Sequence, residues 1–108
     1  MSLSEGDMSF ARELFHDIPD LSTRRMFGGM GLYCGPTIFA LQLSDGRLML
    51  KAKGVFANRM QQLGGEEWTY ARKDGKLSSM PYWTLPDAYL DDPQDACALA
   101  REALDALA

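Results

Sequence analysis

Histidine and cysteine are scarce in this chain, which has one histidine and two cysteines among 108 residues. His16 stands beside Asp17 with no cysteine or serine at a spacing that would pair a base with a nucleophile, and a triad needs a third group that nothing nominates. A lone helical histidine of this kind belongs at a solvated or capping position. Cys34 and Cys97 lie far apart, without a Cys-x-x-Cys pair or histidine company, so no metal and no cofactor is expected. They read as reduced thiols acting as small apolar side chains. No apolar run approaches the ~20 residues of a membrane span. The opening Met1-Ser2-Leu3-Ser4-Glu5 has neither a basic nor an apolar leader region, which points to the cytoplasm and away from membranes. Met1-Ser2-Leu3 is set aside as an expression remnant. Positive charge is also short. Eleven Lys and Arg stand against 15 Asp and Glu, a net charge of −4, so the field of the whole molecule repels a polyanion. Direct DNA binding by the domain alone is not expected.

What the chain does have is an ordinary globular balance, 46% hydrophobic and 24% charged, at a length suited to one domain with its own core. Its most informative stretch is Arg24-Arg25-Met26-Phe27-Gly28-Gly29-Met30-Gly31-Leu32-Tyr33. Three glycines in four positions, set between strand-forming residues, describe a tight reversal or bulge joining two extended segments, with at least one glycine at positive φ. A phosphate loop would instead open a helix. Met26, Phe27, Gly28, Gly29 and Gly31 are therefore read as a structural motif.

Around this motif the periodicity alternates between helix and hairpin. A first helix is expected over Asp7–Ile18, with Met8, Ala11, Leu14, Phe15 and Ile18 inward and Pro19 ending it. Extended segments follow over Arg24–Phe27, Met30–Cys34 and Thr37–Leu43, and Asp45-Gly46 reads as a two-residue hairpin turn into Arg47–Lys51. A second helix spans Gly54–Leu63, stopped by Gly64-Gly65. A second hairpin runs over Glu67–Arg72 and Leu77–Trp83 about Asp74-Gly75, with Pro81 marking an edge or a bulge. Asp92 as N-cap, Pro93 at N1 and Asp95 at N3 open a final helix to Ala108. The sum is an α+β, two-layer domain, a mostly antiparallel sheet with helices packed on it.

The pieces Met26-Phe27-Gly28-Gly29, Gly31-Leu32-Tyr33, Phe39-Ala40-Leu41, Leu48-Met49-Leu50-Lys51, Tyr82-Trp83 before Leu85-Pro86, and Leu90-Asp91-Asp92-Pro93 resemble the N-terminal domain of the TfoX/Sxy competence-regulator family. Their order and spacing carry the resemblance over nearly the whole chain. It implies the same fold class and a bacterial, cytoplasmic regulator of transcription that works with other proteins. Better-known members carry a second, C-terminal domain, and residues 1–108 read as one N-terminal-type domain that stops where the second would begin.

For function, the leading expectation is a non-enzymatic protein-interaction module, with a protein partner and a homodimer as modes of association. Candidate interaction residues are Arg24, Arg25, Tyr33, Lys51, Tyr82 and Trp83, with the aromatics Tyr82 and Trp83 expected on the surface. Lys51, at the end of an apolar strand and matching a lysine typical of the family, could instead anchor a small ligand or reaction beside Tyr33. Joining of Arg24-Arg25, Lys51 and Lys53, and Arg72-Lys73 with Lys76 into one basic face would favour nucleic acid. The acids Asp87, Asp91, Asp92 and Asp95 are read as helix-capping groups rather than a cation site.

Overall fold

Ser4 opens the first helix, because its hydroxyl accepts the Asp7 main-chain N–H at 3.1 Å and so satisfies one of the orphan donors of the first turn. The computed structural model describes residues 3–26 and 28–108; Met1, Ser2 and Phe27, the last a member of the glycine motif, lie outside the described residues. Helix α1 covers Glu5–Leu14, starting and stopping earlier than its apolar spacing suggested. Its end has a local cause. The residue before a proline is pushed out of helical geometry, and Asp20 beyond Pro19 takes φ 51°, so His16 and Ile18 close short turns onto Glu13 and Phe15 instead. Phe15 and Ile18 are still buried.

Strands β1 (Leu21–Met26), β2 (Gly29–Cys34), β3 (Thr37–Gln42) and β4 (Leu48–Lys51) form a meander. Helix α2 (Val55–Gln62) then crosses to β5 (Glu67–Ala71), and β6 (Leu77–Thr84) returns between β4 and β5. The result is one six-stranded sheet of order β1-β2-β3-β4-β6-β5, antiparallel throughout, closed by a single 3₁₀ turn at Asp87–Tyr89 and helix α3 (Pro93–Leu107). The α+β expectation is met. At α3 the Asp92 carboxylate accepts the Asp95 N–H at 3.1 Å, with Pro93 occupying the first turn, where a missing N–H costs nothing.

One turn assignment needs correction. Asp45-Gly46 is not a two-residue turn: Leu43 N–H bonds to Arg47 O at 2.8 Å, which leaves three residues in the loop, and the Asp74-Gly75 turn has the same length, with Arg72 N–H on Lys76 O at 2.8 Å. A two-residue type I′ turn needs positive φ at both central positions, but only the glycines have it, at 94° and 83°. Each aspartate instead accepts the N–H two residues on, Arg47 or Lys76, at 3.0 Å. For Pro81, the bulge rather than the edge is what the structure shows. This proline lies in β6 where the register against β5 slips between Glu67 and Thr69, so its missing N–H falls in the irregularity while its carbonyl accepts from Ala52 at 2.9 Å.

The main core lies between the helices and one face of the sheet. Met8, Ala11, Phe15, Ala96, Leu99 and Ala103 from the helices meet Met30, Leu32, Phe39, Ala40 and Leu50 from the strands. Phe15 and Phe39 meet edge to face, centroids 5.5 Å apart. Leu3, set aside above, is 6% exposed and belongs to this core, and its N–H reaches Gly28 O at 3.3 Å. Arg59 on α2 binds Glu102 on α3 at 2.6 Å and staples the outer sides of the two helices.

Within the glycine motif, Gly28 makes the reversal at φ 76° and Gly29 permits a close approach of strands: a Cβ there would stand 2.1 Å from the Gln42 carbonyl oxygen. Gly29→Ala is therefore expected to cost more than Gly28→Ala, about 2–3 against about 1 kcal/mol, since overpacking against backbone cannot be relieved by a rotamer change. Denaturant midpoints would rank the two variants; a Gly29→Ala protein as stable as the parent would refute the close approach.

Candidate functional site: the sheet face without helices

In an antiparallel sheet, residues directly paired across strands project to the same side, so the register sorts every candidate side chain. One row runs Arg24, Gly31, Leu41, Met49, Thr84 from β1 to β6, and Tyr33, Lys51 and Tyr82 share its side. On that side Leu41, Met49 and Tyr82 are buried in a second apolar cluster, flanked by Met26, Ile38, Leu43, Trp68 and Met80. Among the described residues, no helical residue takes part in it. A hollow of about 250 Å³ opens at one end between Met26, Leu41 and Trp68, lined also by Ser44 and by the Asp45–Arg47 ion pair.

The candidate pairs of adjacent residues divide between the two sides. Arg24 lies over the Tyr33 ring at 5.5 Å from its centroid, a cation–π contact on the helix-free face. Its neighbour Arg25 turns to the helical side and meets Glu5 at 3.6 Å. Tyr82 is only 6% exposed and Trp83, paired with Leu50, packs against the main core, so the expectation that both are surface aromatics is corrected. The exposed aromatic on the strands is Tyr70, 45% accessible, with Trp68 and Tyr33 half-buried. Sequence reasoning did not single out Trp68 or Tyr70 as contact residues. Their alternation with Thr69 and Ala71 was the available signal, and it fixed their common side without saying which side.

The basic clusters do not join. Arg72 is held by Asp74 at 3.4 Å, and Arg24 and Lys51 stand on strands three apart, about 14 Å at ordinary strand spacing. The strand rows of the face nonetheless have a definite sign. The face's strand residues include Arg24 and Lys51 and, among the described residues, no carboxylate in the paired rows of β1 to β4 and β6. The acids lie with the helices and turns, including Glu5, Asp7, Asp95, Glu102 and Asp105.

Of the remaining titratable groups, His16 is exposed just past α1, its Nδ1 2.8 Å from Glu13 O and its Nε2 3.1 Å from Asp17. Cys97 is buried, donates its thiol to Leu14 O at 3.3 Å, and burial pushes its pKa up, which keeps it an unreactive thiol. Cys34 is half-buried, and both cysteines are free. Among the described residues no group of three or more His, Cys, Asp or Glu is placed to hold a metal ion.

The sequence profile of the TfoX N-terminal domain matches residues 13–107. The chain belongs to that family. It is also similar, at 26% identity over 109 residues, to the DNA transformation protein TfoX1 of Aliivibrio fischeri (strain ATCC 700601 / ES114). That alignment takes in 97% of this chain and 51% of the relative, so this TfoX-type domain spans about half the length of the protein it matches. The glycine motif of this chain sits at the β1–β2 reversal beside Met26 and Gly29, which border the hollow on the helix-free face.

Burial, and to a lesser degree the neighbouring Tyr33, raise the Tyr82 pKa above the ordinary 10.0. Because the folded state holds this phenol neutral more strongly than the unfolded chain does, the stability it contributes is full below pH 10.0 and is lost as pH rises through the folded value. Alkaline titration followed by tyrosinate absorbance should show one tyrosine ionising last and together with unfolding, and Tyr82→Phe should abolish that late step.

Proposed function

We propose that this domain is a non-enzymatic partner-binding module of a competence-related regulator, and that its contact surface is the sheet face without helices. The family is one of competence-related regulators, and the related protein is named for DNA transformation. The observation that carries the reading is the second apolar cluster. Around a centre of Leu41, Met49 and Tyr82 that is already covered, the partly buried Met26, Ile38, Trp68 and Met80 still offer apolar surface on a face to which, among the described residues, no helix contributes. Methionine and aromatic side chains are the residues that adapt to and anchor protein partners.

The charge on the face selects the partner's chemistry. Arg24 and Lys51 have no carboxylate among their paired neighbours, so the matching protein surface is apolar at its centre with carboxylates at its rim. The hollow between Met26, Leu41 and Trp68 has room for one large side chain of that partner. Duplex DNA fits less well, because two cations about 14 Å apart on an acidic domain make few phosphate contacts.

Arg24→Glu combined with Lys51→Glu should weaken capture of the cognate protein at least tenfold while leaving the melting temperature within a few degrees, since Arg24 is exposed, Lys51 is half-buried at a strand end, and two repulsive rim pairs suffice for about 1.4 kcal/mol. Trp68→Ala should weaken it further. A salt titration of duplex DNA affinity is the companion measurement. Submicromolar DNA binding that falls steeply with salt, alongside partner binding indifferent to the charge reversals, would replace this reading with a nucleic-acid one.

A further inference from the structure

A larger groove of about 890 Å³ runs along the ends of the strands on the helical side, and four carboxylates, Asp7, Asp45, Glu66 and Asp87, line it against one cation, Arg47. Asp7 from α1, Glu66 before β5 and Asp87 at the 3₁₀ turn line it, and none of the three is in an ion pair among the described residues. The cation present, Arg47, is already engaged by Asp45 at 2.9 Å. The Gln42 side chain, 1% exposed, belongs to the same wall. Its Nε2 donates to the main-chain oxygens of Asp7 at 3.0 Å and Gly46 at 3.4 Å, both groove residues, while its Oε1 has no donor. A buried acceptor left open costs free energy that an incoming N–H would recover. Beside these acceptors are Leu63, Leu90 and Phe10, the last 44% exposed, which is high for a phenylalanine outside an interface.

We infer that this groove binds a basic peptide segment of a protein partner, whose arginine or lysine side chains meet Asp7, Glu66 and Asp87 while an apolar residue lies on Phe10. The occupant is fixed by complementarity. A groove of open acceptors and uncompensated carboxylates requires a donor-rich cation, which Arg and Lys supply, and the apolar strip requires a ligand with hydrophobic side chains between its charges. The groove shares Gln42, Asp45 and Arg47 with the hollow on the helix-free face, but Asp7, Phe10, Glu66 and Asp87 line the groove alone, so changes at Glu66 and Asp87 test it apart from the partner surface.

The test uses the whole chain and a short fluorescein-labelled peptide of alternating arginine and leucine, followed by anisotropy. Saturable binding in the micromolar range is expected, weakened roughly fivefold or more by Asp87→Asn with Glu66→Gln and accompanied by a shift of the Gln42 side-chain amide resonance in NMR spectra. The same peptide with glutamate in place of arginine should not bind, and Arg24→Glu should leave the affinity unchanged. Both carboxylate positions are exposed, so the variants retain the parent's melting temperature. Absence of saturable binding, equal weakening by the distant Asp105→Asn, or competition by spermidine as effective as that of unlabelled peptide would overturn the proposal.

Discussion

Pairing of Ala40 with Leu50, and of Leu41 with Met49, is the constraint on which the rest of the molecule depends. Side chains in a strand alternate, so a slip of one residue here would exchange the two faces of the sheet. With the observed register Ala40 and Leu50 meet the helices, and Leu41 and Met49 join Tyr82 on the opposite side. Everything said of function follows from that division, because both faces are apolar enough to be buried but helices cover only one.

The glycine motif serves this register. Gly28 turns the chain at positive φ, and Gly29 brings β2 against the Gln42 carbonyl at a distance no side chain would allow, which fixes how β2 lies on β3. Gln42 then links the sheet to α1 and to the β3–β4 turn through its carboxamide. A strand reversal, a sheet register and a helix position are coupled through one buried amide, and the two concavities of the domain open on either side of it.

Charge is partitioned by the same alternation. Arg24 and Arg25 are neighbours in sequence and opposites in space: one stacks on Tyr33, the other reaches Glu5 on α1. A net charge of −4 therefore describes neither face. The acids gather among helices, caps and turns, with Glu5, Asp7 and Asp95 in helical first turns where the dipole favours them, and the strand rows of the helix-free face are left with the cations.

Local chemistry was legible in the chain by itself. Ordinary composition, apolar spacing and turn residues specified helices and hairpins in their order, and the resemblance to the TfoX/Sxy N-terminal domain rested on motifs that sit in one sequence. The cap at Asp92-Pro93 could be read because capping is a contact between residues three apart. Where expectation failed at short range, apolar spacing said nothing of backbone hydrogen bonds: the end of α1 and the length of the Asp45-Gly46 turn are set by bonds between residues two to four apart. Between distant residues, distance along the chain was the cause. Tyr82 and Trp83 show the limit most clearly: alternation guarantees that adjacent strand residues part, but only the pairing of β6 with β4, across more than thirty positions, decided that the tryptophan faces the helices and the tyrosine the open side. Likewise Asp7, Glu66 and Asp87 are scattered along the chain, and only folding lined them along one groove.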